Sequence, residues 1–181
     1  MPFNLNVKPA DRHILERRTR VLSQEAGLTQ QLEQVSDAQE LECLLFVSGG
    51  VRYGIEKDYV QELHRGVTPL EVPCTPDFVR GIVNIRGGIL SVNDLGLFMG
   101  QPALDTLKGY PMFQLQDQNM LIGVLTERIE NIVSFSAEQI KPYEQPGKKT
   151  LQKYLLGVTL DMTYILDAQT LLNDQRLVVK A

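Results

Sequence analysis

Few side chains in this chain of 181 residues could carry out chemistry, and the two histidines are the first to consider. His13 lies in a segment with helical periodicity, and His64 follows a predicted strand beside Arg65. Neither has a cysteine or a carboxylate at a spacing that suggests a nucleophile–base pair or a metal site. A lone histidine of this kind is more often a surface residue than a catalytic one.

The only two cysteines are Cys43, within a predicted strand, and Cys74, between two prolines. Isolated cysteines in a cytosolic chain usually behave as small buried hydrophobic residues. The alternative is a disulfide or a metal site, but a zinc site requires four ligands at close spacing. We therefore expect no metal and no cofactor.

Two glycine pairs, Gly49-Gly50 and Gly87-Gly88, are not followed by predicted helices. They therefore lack the helix N-terminus whose dipole holds a phosphate. Turn and cap roles explain the aspartates at predicted strand ends, Asp94, Asp161 and Asp167. No aromatic platform on neighbouring strands suggests stacking of nucleotide bases. The sequence thus predicts a protein that is not an enzyme.

The remaining candidates are polar residues on predicted β-structure. Gly87-Gly88 predicts a tight hairpin turn between a strand that ends at Arg86 and a strand that begins at Ile89. Alternation places Arg86 on the solvent face at the hairpin tip. Val60 and Glu62 share one face of an earlier strand, and we expect Glu62 to form a partly exposed ion pair with Arg86.

Short segments of period two, separated by turn residues, predict about ten strands and an all-β fold. Many short strands are typical of a barrel or a sandwich, and their number suits two small five-stranded barrels. A short helical turn at 95–100 and a short C-terminal helix at 168–172 complete the domain, and the tail to Ala181 is expected to fray. The predicted strands are 41–47, 51–55, 59–63, 67–72, 82–86, 89–94, 110–116, 120–126, 129–135, 154–160 and 163–166.

An amphipathic helix is predicted from Asp11 to Gln24, followed by a polar linker, so that residues 1–37 precede the β domain. Its arginines indicate a solvated face on a docking helix more than a membrane or nucleic-acid contact. They are Arg12, Arg17, Arg18 and Arg20.

The composition is ordinary for a globular protein, with 43% hydrophobic and 22% charged residues. A net charge of −4 argues against a general nucleic-acid binder. No apolar run approaches the ~20 residues of a membrane span, and the first residues, Met1 to Asn4, lack the layout of a secretory leader. We therefore expect a cytoplasmic protein that does not insert into the membrane.

The segment from Pro73 to Leu95 resembles the signature of the CheW family, the adaptor proteins of bacterial chemosensory arrays. Ser91 stands in place of the usual proline, and Asn93 in place of an apolar residue. The matching positions are Pro73, Pro76, Phe78, Gly81, Asn84, Arg86, Gly87 and Asp94. An earlier family pattern is met by Val51, Tyr53, Ile55, Val60, Glu62 and Leu63, and looser matches follow at 122–127 and 131–133.

The resemblance implies a CheW-like domain over residues 38–173, with two five-stranded β-barrels and a C-terminal tail at 174–181. It implies an adaptor that bridges the regulatory domain of a CheA-type histidine kinase and the cytoplasmic tip of methyl-accepting chemoreceptors, recruited through them to the inner face of the membrane. The alternative is a regulator that binds either partner competitively without activating the kinase. The implied protein-binding residues are Val60, Glu62, Gly81, Arg86, Gly87, Gly123 and Ile132.

Overall fold

The computed structural model describes residues 40–104, 109–143 and 149–177, which form ten strands, three short helices and two 3₁₀ turns. The predicted helix from Asp11 to Gln24 lies outside these residues. The strands are β1 Leu41–Ser48, β2 Val51–Glu56, β3 Val60–Val67, β4 Val79–Ile85, β5 Gly88–Asp94, β6 Tyr110–Gln116, β7 Leu121–Leu125, β8 Arg128–Phe135, β9 Leu155–Val158 and β10 Tyr164–Leu166. The helices are α1 Leu95–Phe98, α2 Lys149–Lys153 and α3 Ala168–Leu172, and the 3₁₀ turns are Lys57–Tyr59 and Ala137–Gln139.

The strands form two five-stranded sheets, which confirms the predicted all-β architecture. The first sheet has the order β8-β1-β2-β10-β9 and the second has the order β3-β6-β7-β5-β4. We call the first sheet with α2 and α3 the first half, and the second sheet with α1 the second half. Each sheet contains one parallel pair, β2 with β10 and β7 with β5, and three antiparallel pairs.

The expectation of closed barrels was wrong. In the second half, the chain after the edge strand β3 meets the other edge strand, β4, through the single isolated bridge between Leu70 and Ile82. In the first half, the chain after β8 meets β9 in the same way, through the bridge between Lys141 and Val158. A glycine allows each close approach, because a Cβ on Gly81 would lie 2.2 Å from the Leu70 carbonyl oxygen and one on Gly157 would lie 2.4 Å from that of Lys141. The predicted strand at 67–72 is reduced to this bridge beyond Val67.

The two halves repeat one another in detail. In each half one strand of the parallel pair leads into a helix through an aspartate: Asp94 is the last residue of β5, and Asp167 directly follows β10. The carboxylate of each aspartate accepts a hydrogen bond from a backbone N–H in the first turn of that helix. The caps satisfy donors that would otherwise lack a partner. Both aspartates therefore have the cap role that the sequence predicts.

Alternation on the central strands divides the apolar residues among three clusters. Leu44 and Phe46 of β1 pack with Phe113 of β6 in a core shared by the two halves. Cys43 and Leu45, which alternate with these two residues of β1, face the interior of the first half instead. A third cluster fills the second half, with Leu90, Val92, Leu104, Met112 and Leu125.

The packed part of the domain extends further toward the C-terminus than the sequence predicts. Asp174 and Leu177 are 7% and 2% exposed, so the frayed segment cannot begin at Asp174. The Asp174 carboxylate accepts hydrogen bonds from the Tyr154 hydroxyl, the Lys153 ammonium and the Arg176 guanidinium. Burial alone would raise the pKa of Asp174, but these hydrogen bonds outweigh it and hold that pKa well below its ordinary value.

The change of sequence pattern predicts a domain boundary after residue 37. We expect a chain without residues 1–37 to unfold cooperatively, because few contacts cross a domain boundary. Circular dichroism during thermal unfolding, compared with the full chain, is the measurement. A truncated chain that is unfolded and aggregated would show that the segment belongs to the core.

Asp174→Asn should lower the free energy of unfolding by about 1–3 kcal/mol near pH 7, since hydrogen bonds to a charged group are lost. The folded pKa of Asp174 lies below its unfolded value, so its stabilising effect is complete above pH ~4 and disappears as the pH falls further. Urea unfolding of both proteins from pH ~7 to pH ~2 measures this. A difference that stays constant over this range would contradict the assignment.

Candidate protein-binding surface

The hairpin between β4 and β5 presents the arginine that the sequence singles out. Ile85 pairs with Gly88, so the two turn residues are Arg86 and Gly87, one position earlier than predicted. Both have positive φ, +51° and +87°, as a two-residue hairpin loop that follows the twist of its strands requires. The Asn84 side-chain oxygen accepts a hydrogen bond from the Gly87 N–H at 2.9 Å, which closes the turn.

The backbone of Arg86 has a left-handed conformation that residues other than glycine rarely adopt. The left-handed region costs a non-glycine residue roughly 1–2 kcal/mol. The Arg86 side chain is 81% exposed, so burial does not offset this cost. Strained residues tend to cluster at functional sites, and the strain is therefore a reason to look for a function in this side chain.

The predicted ion pair between Arg86 and Glu62 is present, with 2.7 Å between the guanidinium and the carboxylate. The second carboxylate oxygen lies 3.5 Å from Nε2 of His64, and that nitrogen lies 2.8 Å from the side-chain nitrogen of Gln114. Gln114 is buried in β6. Within the second sheet, a chain of polar contacts thus runs from the exposed hairpin tip through Glu62 and His64 of β3 to Gln114 of β6, and it orients Glu62 toward Arg86.

A groove of about 450 Å³ separates the edge strands of the two sheets, β3 and β8. Leu63 of β3 and Ile129 of β8 contribute apolar side chains to it. Val60 lies three residues before Leu63 in β3, and Ile132 lies three residues after Ile129 in β8. Its polar lining includes His64, Arg65, Glu127, Arg128 and Glu130.

Both edge strands contain a β-bulge, which lies between Val60 and Leu63 in β3 and between Ile129 and Ile132 in β8. Each bulge puts the two apolar residues that flank it on the same face of the strand. Val60 and Leu63 pair with Leu115 and Phe113 of the shared core, and Ile129 and Ile132 pair with Phe46 and Leu44 of that core. Residues directly opposite in a ladder point to the same face. The four side chains therefore lie on the face of their sheet that meets the other sheet.

The seven residues singled out in the sequence separate into three groups. Glu62, Arg86 and Gly87 lie together at the hairpin tip, and Val60 and Ile132 lie on the groove strands, with Ile132 51% exposed. Gly81 and Gly123 are buried, and a Cβ on Gly123 would lie 2.6 Å from Sδ of Met112. The two buried glycines permit close packing and do not lie on the exposed surface.

Leu63 and Ile129 are the two large apolar groove residues that the sequence analysis did not identify as binding residues. Strict alternation puts Leu63 on the opposite face from Val60, and only the bulge brings the two together. The sequence signal that could have found them is the likeness of the two edge strands. Each has apolar residues three positions apart, at 60 and 63 or at 129 and 132.

The described residues contain no group of three or more histidine, cysteine, aspartate or glutamate side chains that could hold a metal ion, and both cysteines are free thiols. Burial and the nearby Glu56 raise the pKa of the Cys43 thiol to about 12, which suppresses the nucleophilic thiolate. Among these residues no helix is both long and apolar enough to cross a bilayer.

The chain is similar to known proteins in sequence and in fold. The family model of the CheW-like domain matches residues 42–176. The chemotaxis protein CheW of Klebsiella aerogenes is 26% identical over 155 residues, covering 84% of this chain and 93% of that protein. The CheW of Treponema pallidum is 24% identical over 148 residues, covering 77% and 86%.

Among solved structures, the scaffolding protein TtCheW of Thermoanaerobacter tengcongensis superposes with a TM-score of 0.61 at 20% identity, covering 71% of this chain and 90% of that one. This likeness supports the fold described above. The family model covers well over half of the chain and includes all ten strands except the first residue of β1, Leu41. The chain therefore belongs to the CheW family.

Proposed function

We propose that this protein is a non-catalytic adaptor that couples chemoreceptors to a CheA-type histidine kinase in a bacterial chemosensory array. Its family and the names of its relatives, chemotaxis proteins and a scaffolding protein, support this role. An adaptor of this kind contributes binding surfaces rather than chemistry. It changes kinase activity through a difference in binding free energy between receptor states.

The exposed Arg86–Glu62 pair at a strained turn is the observation that carries the proposal. An ion pair of this exposure adds only about 0–1 kcal/mol to stability, which does not offset the strain at Arg86. An arginine at the centre of an interface can contribute more than ~2 kcal/mol to binding. The arrangement is therefore easier to understand as an interface than as a stabilising contact.

The groove between β3 and β8 suits the receptor partner. The cytoplasmic tip of a methyl-accepting receptor is a helical hairpin, and an amphipathic helix docks its apolar face into an apolar groove. Leu63 and Ile129 supply apolar contacts, and Arg65, Arg128 and Glu130 supply charges that fix the orientation of the helix. Other edges of the two sheets would bind the regulatory domain of the kinase. The protein would then act in the cytoplasm, held at the inner face of the membrane by its receptors.

Arg86→Ala should leave the melting temperature within a few degrees of the wild type but weaken receptor-fragment binding by about tenfold or more. Arg86→Gly is the sharper variant, because glycine adopts positive φ without strain and should retain stability while losing the same affinity. Thermal unfolding and titration calorimetry with a receptor-tip fragment measure both effects.

Lys57→Ala is a matched control, since it breaks another exposed ion pair, with Glu42, at the start of β1. It should leave binding unchanged. Glu62→Ala should weaken binding, and the double variant with Arg86→Ala should cost less than the sum of the two. Wild-type receptor and kinase binding by folded Arg86→Gly would disprove the role of the hairpin tip. Binding of both partners without kinase activation would favour the competitive regulator.

Leu63→Ala tests the groove separately. Leu63 is 55% exposed, so its truncation should cost little stability but reduce affinity for the receptor fragment by several-fold. Leu121→Ala is the control, because Leu121 is 43% exposed on β7 and does not line the groove. Equal effects of the two substitutions on binding would contradict a helix-binding groove at β3 and β8.

A further inference from the structure

The short segment from Asp174 to Leu177 follows α3 and contacts both halves of the domain. The end of α3 does not require this segment's side chains. The N–H groups of Asn173 and Asp174 already bond to the carbonyls of Gln169 and Leu171. The side chains of the segment are thus available for other contacts.

The contacts with the first half centre on the carboxylate of Asp174. One oxygen accepts hydrogen bonds from the Tyr154 hydroxyl and, at 2.9 Å, from the Lys153 ammonium. Lys153 and Tyr154 lie directly before β9. The other oxygen accepts from the backbone N–H of Arg176 at 2.9 Å and from its Nε at 3.2 Å. Asp174 therefore attaches the segment to the first half and holds the Arg176 guanidinium in place.

The contact with the second half is the stacking of Arg176 on Phe98. The guanidinium carbon lies 4.4 Å from the ring centroid of Phe98, the last residue of α1. That ring packs at 5.3 Å from the ring of Tyr154 and at 5.1 Å from that of Phe78, which comes just before β4. A planar cation over an aromatic face is a directional contact, so it restrains orientation as well as distance.

The charges explain why Arg176 stays on the ring. Its side chain is 49% exposed, and without a partner it would lose rotamer freedom to remain over Phe98. Asp174 and the Tyr154 hydroxyl hold it there from the first half. A row of contacts thus crosses the boundary between the halves, from Lys153 through Asp174 and Arg176 to Phe98.

We propose that residues Asp174 to Leu177 are a clasp that fixes the angle between the two halves, and with it the width of the groove between β3 and β8. Asp174 and Arg176 are its positioning residues. Release of the clasp, by cleavage or by a partner that binds the segment, would let the two halves move against each other. The clasp follows from contacts within this chain and is independent of which partner the groove binds.

The test is a distance measurement by pulsed electron paramagnetic resonance on the full chain. One spin label replaces Ile89 in β5, which is 75% exposed, and the other replaces Leu160 before β10, which is 93% exposed. Cys74→Ser removes the exposed thiol, whereas Cys43 is buried and remains. The wild type should show one narrow distance distribution, and Arg176→Ala and Asp174→Asn should widen it by about a factor of two or more.

Two controls separate a clasp from general loosening. Lys57→Ala removes an exposed cation that pairs with Glu42 of the first half and lies outside the groove, and it should leave the distribution narrow. Ile165→Val lowers stability within the interior of the first half and should also leave it narrow. A distribution widened equally by Ile165→Val would overturn the proposal.

Asp174→Asn should fold, because Lys153 and Arg176 are half-exposed and can regain water. Arg176→Ala should fold as well, because Asp174 keeps its hydrogen bonds from Lys153 and Tyr154. Arg176→Lys is the second variant. It keeps the charge but loses the planar stacking on Phe98, and we expect an intermediate width. Wild-type widths in Arg176→Ala and Asp174→Asn would overturn the clasp, and if either fails to fold, a wild-type width in Arg176→Lys does so.

Discussion

The packing of the two sheets on a shared core is the constraint on which the rest of this structure depends. The rings of Phe46 and Phe113, one from each sheet, lie 5.0 Å apart at its centre. Their strands, β1 and β6, are buried on both faces for most of their length. Strands buried on both faces cannot present a binding surface, so that task is left to the edge strands and turns. The position of the groove between β3 and β8 follows from this packing.

The candidate surface carries costs that folding alone does not explain. Arg86 occupies a left-handed conformation with an exposed side chain, and its partner Glu62 lies in an edge strand where an ion pair stabilises little. The bulges in β3 and β8 give up ladder hydrogen bonds to turn apolar side chains toward the boundary between the halves. Departures from ideal geometry of this kind are common where a surface must bind a partner.

Asn93 and Ser91, the two departures from the family pattern in β5, contact each other. The Asn93 amide nitrogen lies 3.4 Å from the Ser91 hydroxyl. Asn93 is fully buried, and within the described part of the chain its side-chain oxygen has no hydrogen-bond partner. Such a group costs about 1–3 kcal/mol relative to a satisfied one. The return strand of the hairpin thus accommodates a buried polar residue at a position that is apolar in the family pattern.

Local pattern in the sequence determined most of the elements. Alternation predicts the strands, glycine pairs predict the hairpins, and Asp94 and Asp167 mark the starts of short helices, because each signal acts within a few residues. Only the tertiary structure decided how the sheets close, which face Leu63 occupies, why Gly81 and Gly123 are glycines, and where the tail packs. These depend on contacts between residues far apart in the chain, such as Gly81 with Leu70 or Arg176 with Phe98, and a bulge changes their register without a local signal.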